Sequence, residues 1–169
     1  VFQKTPPPQH YSETRGRNGM ELCVSSSILQ YFCPTTGNSS AVHAGCQLCP
    51  QFWQLFGDQC FWLSKAKGTW KRGRKDCKNW DSQLVVLQNK AEMVNIEWDG
   101  SKQHVWIGLK GSNNTWKWVD NSSFNATWFG AQTKLANGCG TLRDMMLEDD
   151  SCNGEHEWVC QKKPFLLLP

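Results

Sequence analysis

The sequence lacks several features that would place it in common classes of protein. It has no apolar stretch of about 20 residues, the length that a helix needs to cross a bilayer, and its terminal FLLL is far too short. It begins with neither a methionine nor a signal peptide. From these features we expect either a mature secreted protein or the extracellular part of a membrane protein. The sequence also has no phosphate-binding glycine loop.

The histidines and cysteines form no catalytic or zinc-binding pattern. Cys46-Gln-Leu-Cys49 is a single C-x-x-C, and His43 lies on its wrong side to complete a zinc finger. His104 and His156 each precede a predicted strand, outside any Ser/His/Asp arrangement. Cysteines that are committed to disulfides would leave no nucleophile. We therefore predict no enzymatic activity and no cofactor.

Cysteines and glycosylation sequons are abundant. Nine cysteines at irregular intervals in 169 residues favour disulfides formed in an oxidising compartment. Four sequons favour passage through the secretory pathway. The acceptor asparagines are Asn38, Asn113, Asn121 and Asn125. Together these features predict an extracellular glycoprotein.

Residues 1–48 differ in composition from the rest of the chain. Three consecutive prolines and a stretch rich in serine, threonine and glycine give no hydrophobic period, so this region cannot bury enough apolar surface to offset its ordering entropy. We predict a largely irregular stalk, a domain at 49–163 and a C-terminal tail at 164–169. The stalk cysteines are Cys23, Cys33 and Cys46. They form either one local bridge with one spare thiol or, since nine is odd, at least one bond between two chains.

From residue 49 onward the pattern predicts an α+β domain. Thr69 is a suitable N-cap for a first helix, in which Gly73 costs about 1 kcal/mol relative to alanine. Asn89 and Glu92 have capping-box spacing for a second helix. The predicted elements are a hairpin over 51–64 that turns at Gly57-Asp58, a helix over 69–84, a buried strand at 84–87, a helix at 89–98, and short strands at 104–110, 115–120, 138–143, 145–148 and 157–162.

Six cysteines lie in this domain, and their spacing alone allows 15 pairings. They are Cys49, Cys60, Cys77, Cys139, Cys152 and Cys160. Pairing neighbours across the first hairpin and across the later strands would leave the cysteine of the first helix to meet the cysteine of the last strand. Such a bridge would close a long loop, and loop entropy gives it about 4–5 kcal/mol of stabilisation.

Several motifs point to one family. They are WIGL at 106–109, WKW at 116–118, the opening CPQFWQLFGDQCFWLS, the closing EWVCQKK, and the order of helices and cysteines. With them the chain from 49 to 162 resembles a long-form C-type lectin-like domain, and most of all the killer-cell lectin-like receptors of natural killer cells, in particular subfamily B and its close relatives. The resemblance implies two helices packed on short antiparallel sheets, with bridges Cys49–Cys60, Cys77–Cys160 and Cys139–Cys152. It also implies a type II membrane protein at the cell surface, often a disulfide-linked homodimer.

The tryptophan-rich stretch 104–120 is predicted to be scaffold. In such domains WIGL lies at the centre of the core, and each buried indole removes on the order of 150–250 Å² from water. The residues assigned to the core are Trp106, Ile107, Leu109, Trp116 and Trp118.

The resemblance also raises the question of calcium. Sugar-binding members hold Ca²⁺ through a Glu-Pro-Asn or Gln-Pro-Asp triplet in the long loop and a Trp-Asn-Asp triplet further on. Here the loop at 121–138 has neither proline nor carboxylate, and the second triplet aligns with Leu147-Glu148-Asp149. We expect no metal. Glu148, Asp149 and Asp150 stay weak candidates for another cation site, the alternative being a solvated acidic rim.

Related receptors generally bind protein ligands, often other lectin-like molecules, through the membrane-distal face. The positions that this implies are Trp128, Phe129, Arg143, Met145 and Glu148. A glycan at Asn121 or Asn125 would crowd that face.

The net charge is only +3, and so mild a charge indicates no nucleic-acid partner. The charges are nevertheless segregated along the sequence. Residues 65–78 carry seven lysines and arginines against Asp76, and 144–157 carry six acidic residues and no lysine or arginine. The basic segment could bind a sulfated glycan, or it is simply a solvated helix face. A glycan-binding lectin, cation-assisted or acting through residues 65–78, is therefore the alternative to a receptor for a protein.

Overall fold

A computed structural model describes residues 13–16, 19–23, 27, 31–33, 46–88, 92, 103–113, 115–129 and 137–168. The chain divides into two units, one formed by Val1–Gln51 with Lys163–Pro169 and the other by Phe52–Lys162. Their strands, in chain order, are β1 Glu13–Gly16, β2 Gly19–Cys23, β3 Cys46–Leu48, β4 Gln54–Phe56, β5 Gln59–Leu63, β6 Gln83–Leu84, β7 Val105–Ser112, β8 Thr115–Trp118, β9 Cys139–Arg143, β10 Met146–Asp150, β11 Glu157–Lys162 and β12 Phe165–Leu168. The helix α1 is Trp70–Asn79, and a 3-10 helix spans Ala126–Trp128.

The first unit contains a four-stranded sheet in the order β1-β2-β12-β3. Strands β1 and β2 form an antiparallel hairpin, and β12 runs parallel to β2 and antiparallel to β3. The sequence analysis assigned these segments to an irregular stalk and a tail, so it missed the strands. The reason is that an apolar strand at 165–168 pairs with a segment more than 100 residues earlier, which no local pattern reveals. The domain boundaries at 48 and 163 stay a prediction.

The second unit is built on an eight-stranded sheet. Its main path is β10-β9-β7-β11-β5-β4, with β6 on β11 and β8 on β7. The hairpin of β4 and β5 is confirmed: Phe56 pairs with Gln59, so Gly57 and Asp58 form a two-residue turn. Gly57 has φ of 57°, a conformation that glycine adopts without a Cβ clash.

The first helix is confirmed, although it ends at Asn79, before the predicted boundary. Thr69 caps it, because its hydroxyl accepts a hydrogen bond from the backbone N–H of Arg72. Gly73 lies on the buried face, and a Cβ there would come within 2.9 Å of Cγ of Trp158. The glycine therefore permits close packing of α1 on β11. The second predicted helix lies largely outside the described residues; Glu92 is helical, and its carboxylate accepts a hydrogen bond from the N–H of Gln88.

The core assignment of the WIGL stretch is confirmed. Trp106, Ile107 and Leu109 are fully buried in β7, Trp118 is buried in β8, and Trp116 is half-buried beside them. The predicted strand at 84–87 is buried throughout, but only Gln83–Leu84 has regular strand pairing.

Eight cysteines are disulfide-bonded. The unit formed by Phe52–Lys162 contains the bridges Cys77–Cys160 and Cys139–Cys152 that the resemblance implies. Cys49 and Cys60 are also disulfide-bonded. Cys33 and Cys46 bond to each other, which is the local bridge that the sequence analysis left open as one of its two alternatives.

Candidate ligand-binding surface

The hairpin of β9 and β10 presents a strained, partly exposed tip. Arg143 pairs directly with Met146, so Asp144 and Met145 form the turn, with φ of 48° and 58°. Two-residue turns with both φ positive normally use Asn-Gly or Asp-Gly, because a side chain with a Cβ is disfavoured there. Local strain of this kind is often found at functional sites. Met146, next to the turn, is 44% exposed.

Glu148 is held by two cationic or ionisable groups. Its Oε1 accepts a hydrogen bond from Nη2 of Arg143 at 3.1 Å. Its Oε2 lies 3.4 Å from Nδ1 of His104, and that nitrogen also lies 3.2 Å from Oγ1 of the buried Thr141. The predicted pair Arg143 and Glu148 thus meets within one hairpin, and β9 and β7 bring in His104 as a third member.

A second acid–histidine pair adjoins the first. Oδ2 of Asp150 lies 2.7 Å from Nε2 of His156, and its Oδ1 accepts the N–H of Ser151. The ring of His156 stands edge-on to Trp106, with centroids 4.6 Å apart, and lies 5.4 Å from the ring of His104. Two histidines and two carboxylates therefore form one cluster, which we call the histidine cluster.

Two pKa values in this cluster are shifted. Burial lowers the pKa of His104, and the nearby Arg143 lowers it further, against an opposite effect of Glu148. The hydrogen bond from His156 lowers the pKa of Asp150, which keeps that carboxylate ionised in mild acid. The cluster therefore favours neutral His104 beside charged Asp150 at neutral pH.

The candidate cation ligands have other partners in this arrangement. Glu148 contacts Arg143 and His104, and Asp150 contacts His156, while Asp149 lies between them on β10 and is half-buried. In the part of the chain that the structure describes, no group of three histidine, cysteine, aspartate or glutamate side chains is arranged to hold a metal ion.

The two aromatic candidates behave differently. Trp128 is 57% exposed and borders a cavity of about 280 Å³ that Asp120 and Asn125 also line. Phe129 is only 8% exposed: its ring stacks on Phe124 and lies against Trp118 in the core. Its assignment as a surface contact is therefore wrong, because an aromatic pair in sequence cannot show which ring turns inward.

The glycosylation sites that fall in described segments are exposed. Asn113 and Asn121 have φ of 50° and 69° in turns, and Asn125 caps the 3-10 helix by accepting hydrogen bonds from the N–H and hydroxyl of Thr127. Asn38 lies outside the described residues. Glycan attachment at these positions stays a prediction.

The sequence analysis missed the role of His104 and His156. They are separated by about 50 positions, and each was assigned only to the start of a strand. The parallel pairing of β7 with β11, in which Val105 is opposite Glu157, is what brings the two histidines together. The signal that could have found them is that each histidine immediately precedes one of two adjacent core strands.

Comparisons with known proteins agree with this geometry. The model of the lectin C-type domain matches residues 66–162. Human killer cell lectin-like receptor subfamily G member 1 is 30% identical over 148 residues, which cover 87% of this chain and 75% of the relative. Mouse killer cell lectin-like receptor subfamily B member 1B allele B is 28% identical, covering 84% of this chain and 67% of the relative. Human C-type lectin domain family 2 member B is 32% identical, and the match covers 84% of this chain and 90% of that relative.

Solved structures give the same fold. The C-type lectin domain of murine dendritic cell inhibitory receptor 2, in complex with an N-glycan, is 25% identical with a TM-score of 0.61, covering 68% of this chain and 98% of that one. A calcium-independent type II antifreeze protein has a TM-score of 0.63 at 24% identity, covering 72% of this chain and 99% of that one, and shows the fold alone.

The relatives are receptors rather than enzymes, and the family supports a role at the cell surface. Among the described residues there is no helix with the length and apolar character to cross a membrane. The matched domain, the core strands and the bridges lead to one conclusion: the chain belongs to the C-type lectin-like family and contains a domain of the killer cell lectin-like receptor type.

Proposed function

We propose that this chain is the extracellular part of a type II cell-surface receptor that recognises a protein on another cell without Ca²⁺. The observation that carries the proposal is the engagement of Glu148 and Asp150 by Arg143, His104 and His156. A hard cation needs six to eight oxygens, and these carboxylates already accept from protein groups. The loop at 121–138 supplies no further carboxylate.

The same surface has the composition of a protein interface. Met146 is an exposed apolar side chain of this hairpin, and methionine adapts its shape to a partner. Trp128, in the 3-10 helix, is a second exposed apolar candidate. The ion pair of Arg143 and Glu148 lies beside Met146 on the hairpin, so an apolar contact would be bordered by charge. The resemblance to killer-cell lectin-like receptors favours another lectin-like molecule as the ligand.

A calcium titration tests the first half of the proposal. Thermal unfolding of the glycosylated chain is followed in millimolar Ca²⁺ and in excess EDTA. A ligand of the folded state at a hundredfold excess over its dissociation constant adds about 2.7 kcal/mol of stability. We expect the two melting temperatures to coincide. A clear upward shift with Ca²⁺ would contradict the calcium-independent mode and favour the glycan-binding alternative.

A matched pair of variants tests the second half. Met146→Asp is compared with Leu55→Asp, because Met146 is 44% exposed and Leu55, on β4, is 45% exposed. Fluorescent multimers of each chain are used to stain cells that the wild type stains, before and after protease or glycosidase treatment of the cells. We expect Met146→Asp and protease to abolish staining, and Leu55→Asp and glycosidase to leave it. Staining that survives protease but not glycosidase would identify a glycan ligand instead.

We also propose a disulfide-linked homodimer through Cys23. Nine cysteines are present and eight are disulfide-bonded, among them the pair Cys33 and Cys46, so Cys23 is the remaining cysteine. On non-reducing electrophoresis we expect the wild type at dimer mass and Cys23→Ser at monomer mass. A wild type that migrates only as a monomer would refute the covalent dimer.

A further inference from the structure

A basic pocket lies between the helix α1 and the strands β7 and β8. Its volume is about 270 Å³. It is lined by Trp70, Arg74, Lys110, Ser112, Thr115, Lys117, Trp118, Val119 and Asn121. Three of these side chains are cationic and none is acidic, so the lining alone attracts an anion. None of them belongs to the hairpin surface proposed above.

Three cations converge on the pocket, and no acidic side chain is among the described residues that line it. Lys110 and Lys117 are direct partners across the antiparallel pair of β7 and β8, an arrangement in which like charges destabilise the sheet. The guanidinium of Arg74 and Nζ of Lys110 each lie 5.6 Å from the ring of Trp70. None of the ion pairs found among the described residues includes Arg74, Lys110 or Lys117. A trio of cations without an acidic partner attracts an anion.

The charge continues along the helix from the pocket. At 100° per residue, Lys71, Arg74, Lys75 and Lys78 share one exposed stripe of α1, about 10 Å long at 1.5 Å per residue. Asp76 is the one acidic residue of the helix. It lies on a different side of the helix from the stripe, where it accepts a hydrogen bond from the indole of Trp158. The basic stripe is therefore free of carboxylates along its length and leads into the pocket through Arg74.

We propose that this pocket and stripe bind a linear sulfated polysaccharide, with one sulfate ester in the pocket and its neighbours along the helix. The hydroxyl of Ser112 and the amide of Asn121 line the pocket as hydrogen-bond donors for sulfate oxygens and sugar hydroxyls. The hydroxyl of Thr115, which donates to the carbonyl oxygen of Ser112, offers the pocket an acceptor for a sugar hydroxyl. A protein partner fits less well. Interface anchors are accessible aromatic side chains, whereas Trp70 and Trp118 are buried in the pocket wall.

Two glycosylation sequons border the pocket. Asn121 lines it, and Thr115 completes the sequon of Asn113. A glycan on either asparagine would compete with the polysaccharide for space. We therefore expect the chain to bind more tightly after its N-glycans are trimmed to single sugars, and the binding experiment uses both forms.

The test compares two double variants of equal net charge in the full chain, once with its N-glycans intact and once with them trimmed to single sugars. Lys110→Gln/Lys117→Gln removes two charges from the pocket, and Lys65→Gln/Lys67→Gln removes two exposed charges from the basic segment at 65–78, outside the pocket. Affinity is measured by calorimetry for a heparin hexasaccharide, for the same hexasaccharide after desulfation, and for a polyglutamate peptide. Unchanged melting temperatures establish that the variants are folded, and Arg74→Gln replaces the pocket pair if that variant is destabilised.

The expected result is a loss of about tenfold or more in affinity for the sulfated hexasaccharide in the pocket variant, and less than about twofold in the control variant, because charge-assisted hydrogen bonds are lost only in the first. Equal losses in both variants would show attraction by net charge alone and overturn the proposal. No binding by the wild type, equal affinity for the desulfated sugar, or tighter binding of polyglutamate would each overturn it as well.

Discussion

The positive and the negative surface of the lectin-like unit are built differently. On the hairpin of β9 and β10, Glu148 and Asp150 each have an arginine or histidine within hydrogen-bonding or ion-pair distance. Around α1, the lysines and the arginine of the pocket face one another with no carboxylate among them. Among the described residues, Glu148 and Asp150 therefore have partners of opposite charge, and the three cations of the pocket form no ion pair.

This difference separates two kinds of recognition. Charges that are paired within a protein fix the geometry of a surface and contribute specificity. A cluster of cations without acidic partners attracts anionic ligands from solution. The sequence showed a basic run at 65–78 and an acidic run at 144–157, and it could not show which of the two has partners of opposite charge. The distinction comes from the arginine and histidines that the sheet places beside the acids.

The largest expected effect concerns the residue that holds α1 and its basic stripe to the sheet. Trp158 is buried against Gly73, and its indole donates a hydrogen bond to Asp76. We expect Trp158→Ala to lower the free energy of unfolding by about 3–5 kcal/mol, measured by urea denaturation. Trp80→Ala, which truncates an exposed indole just after the helix, serves as the control and should change it by less than about 1 kcal/mol. Equal losses would show that Trp158 is not the anchor.

A smaller effect with an informative sign is expected at Gly73. Helix propensity alone predicts that Gly73→Ala stabilises α1 by about 1 kcal/mol. The added Cβ would instead meet Cγ of Trp158 at 2.9 Å, and overpacking of this kind costs about 1–3 kcal/mol. We expect net destabilisation in the same urea experiment. A stabilised variant would mean that α1 can shift away from β11, and Lys75→Ala on the exposed face reports the effect of propensity without the clash.

These residues also show how far the sequence predicts the fold. Local patterns were sufficient for the hairpin at Gly57 and for the N-cap at Thr69, because each is set by neighbouring residues. The family resemblance, rather than a local pattern, placed the WIGL strand in the core. They failed where distant segments meet. The pairing of β12 with β2, the inward turn of Phe129 and the meeting of His104 with His156 depend on strand order and register, which the sequence alone did not supply. The pocket was missed for the same reason, since Lys110 and Lys117 lie outside the basic segment at 65–78.

The acidic surface predicts a pH dependence of stability. The pKa of His104 is lowered from about 6.5, so the unfolded chain binds more protons between that pH and the lower folded pKa. Stability should therefore fall as the pH drops through about 6.5 and then level off. The pKa of Asp150 is also lowered, so its contribution is present above about pH 3.8 and is lost only as the pH falls further. Stability is measured by thermal unfolding across pH 4–8. The fall in stability below about pH 6.5 should disappear in His104→Gln and remain in Asp150→Asn.

The smallest and most specific effect distinguishes the two charged neighbours of His104, Arg143 and Glu148. Arg143 lowers the pKa of His104 and Glu148 raises it. Removing one charge at a time should therefore move that pKa in opposite directions, upward in Arg143→Gln and downward in Glu148→Gln, as followed by NMR titration of the imidazole. Arg74→Gln removes a charge from the basic surface and should leave the pKa of His104 unchanged. If the first two variants shift it the same way, the cluster rearranges when a charge is lost. The pKa of His104 would then depend on burial rather than on these two charges, and the ion pairs of Glu148 would not hold the acidic surface in place.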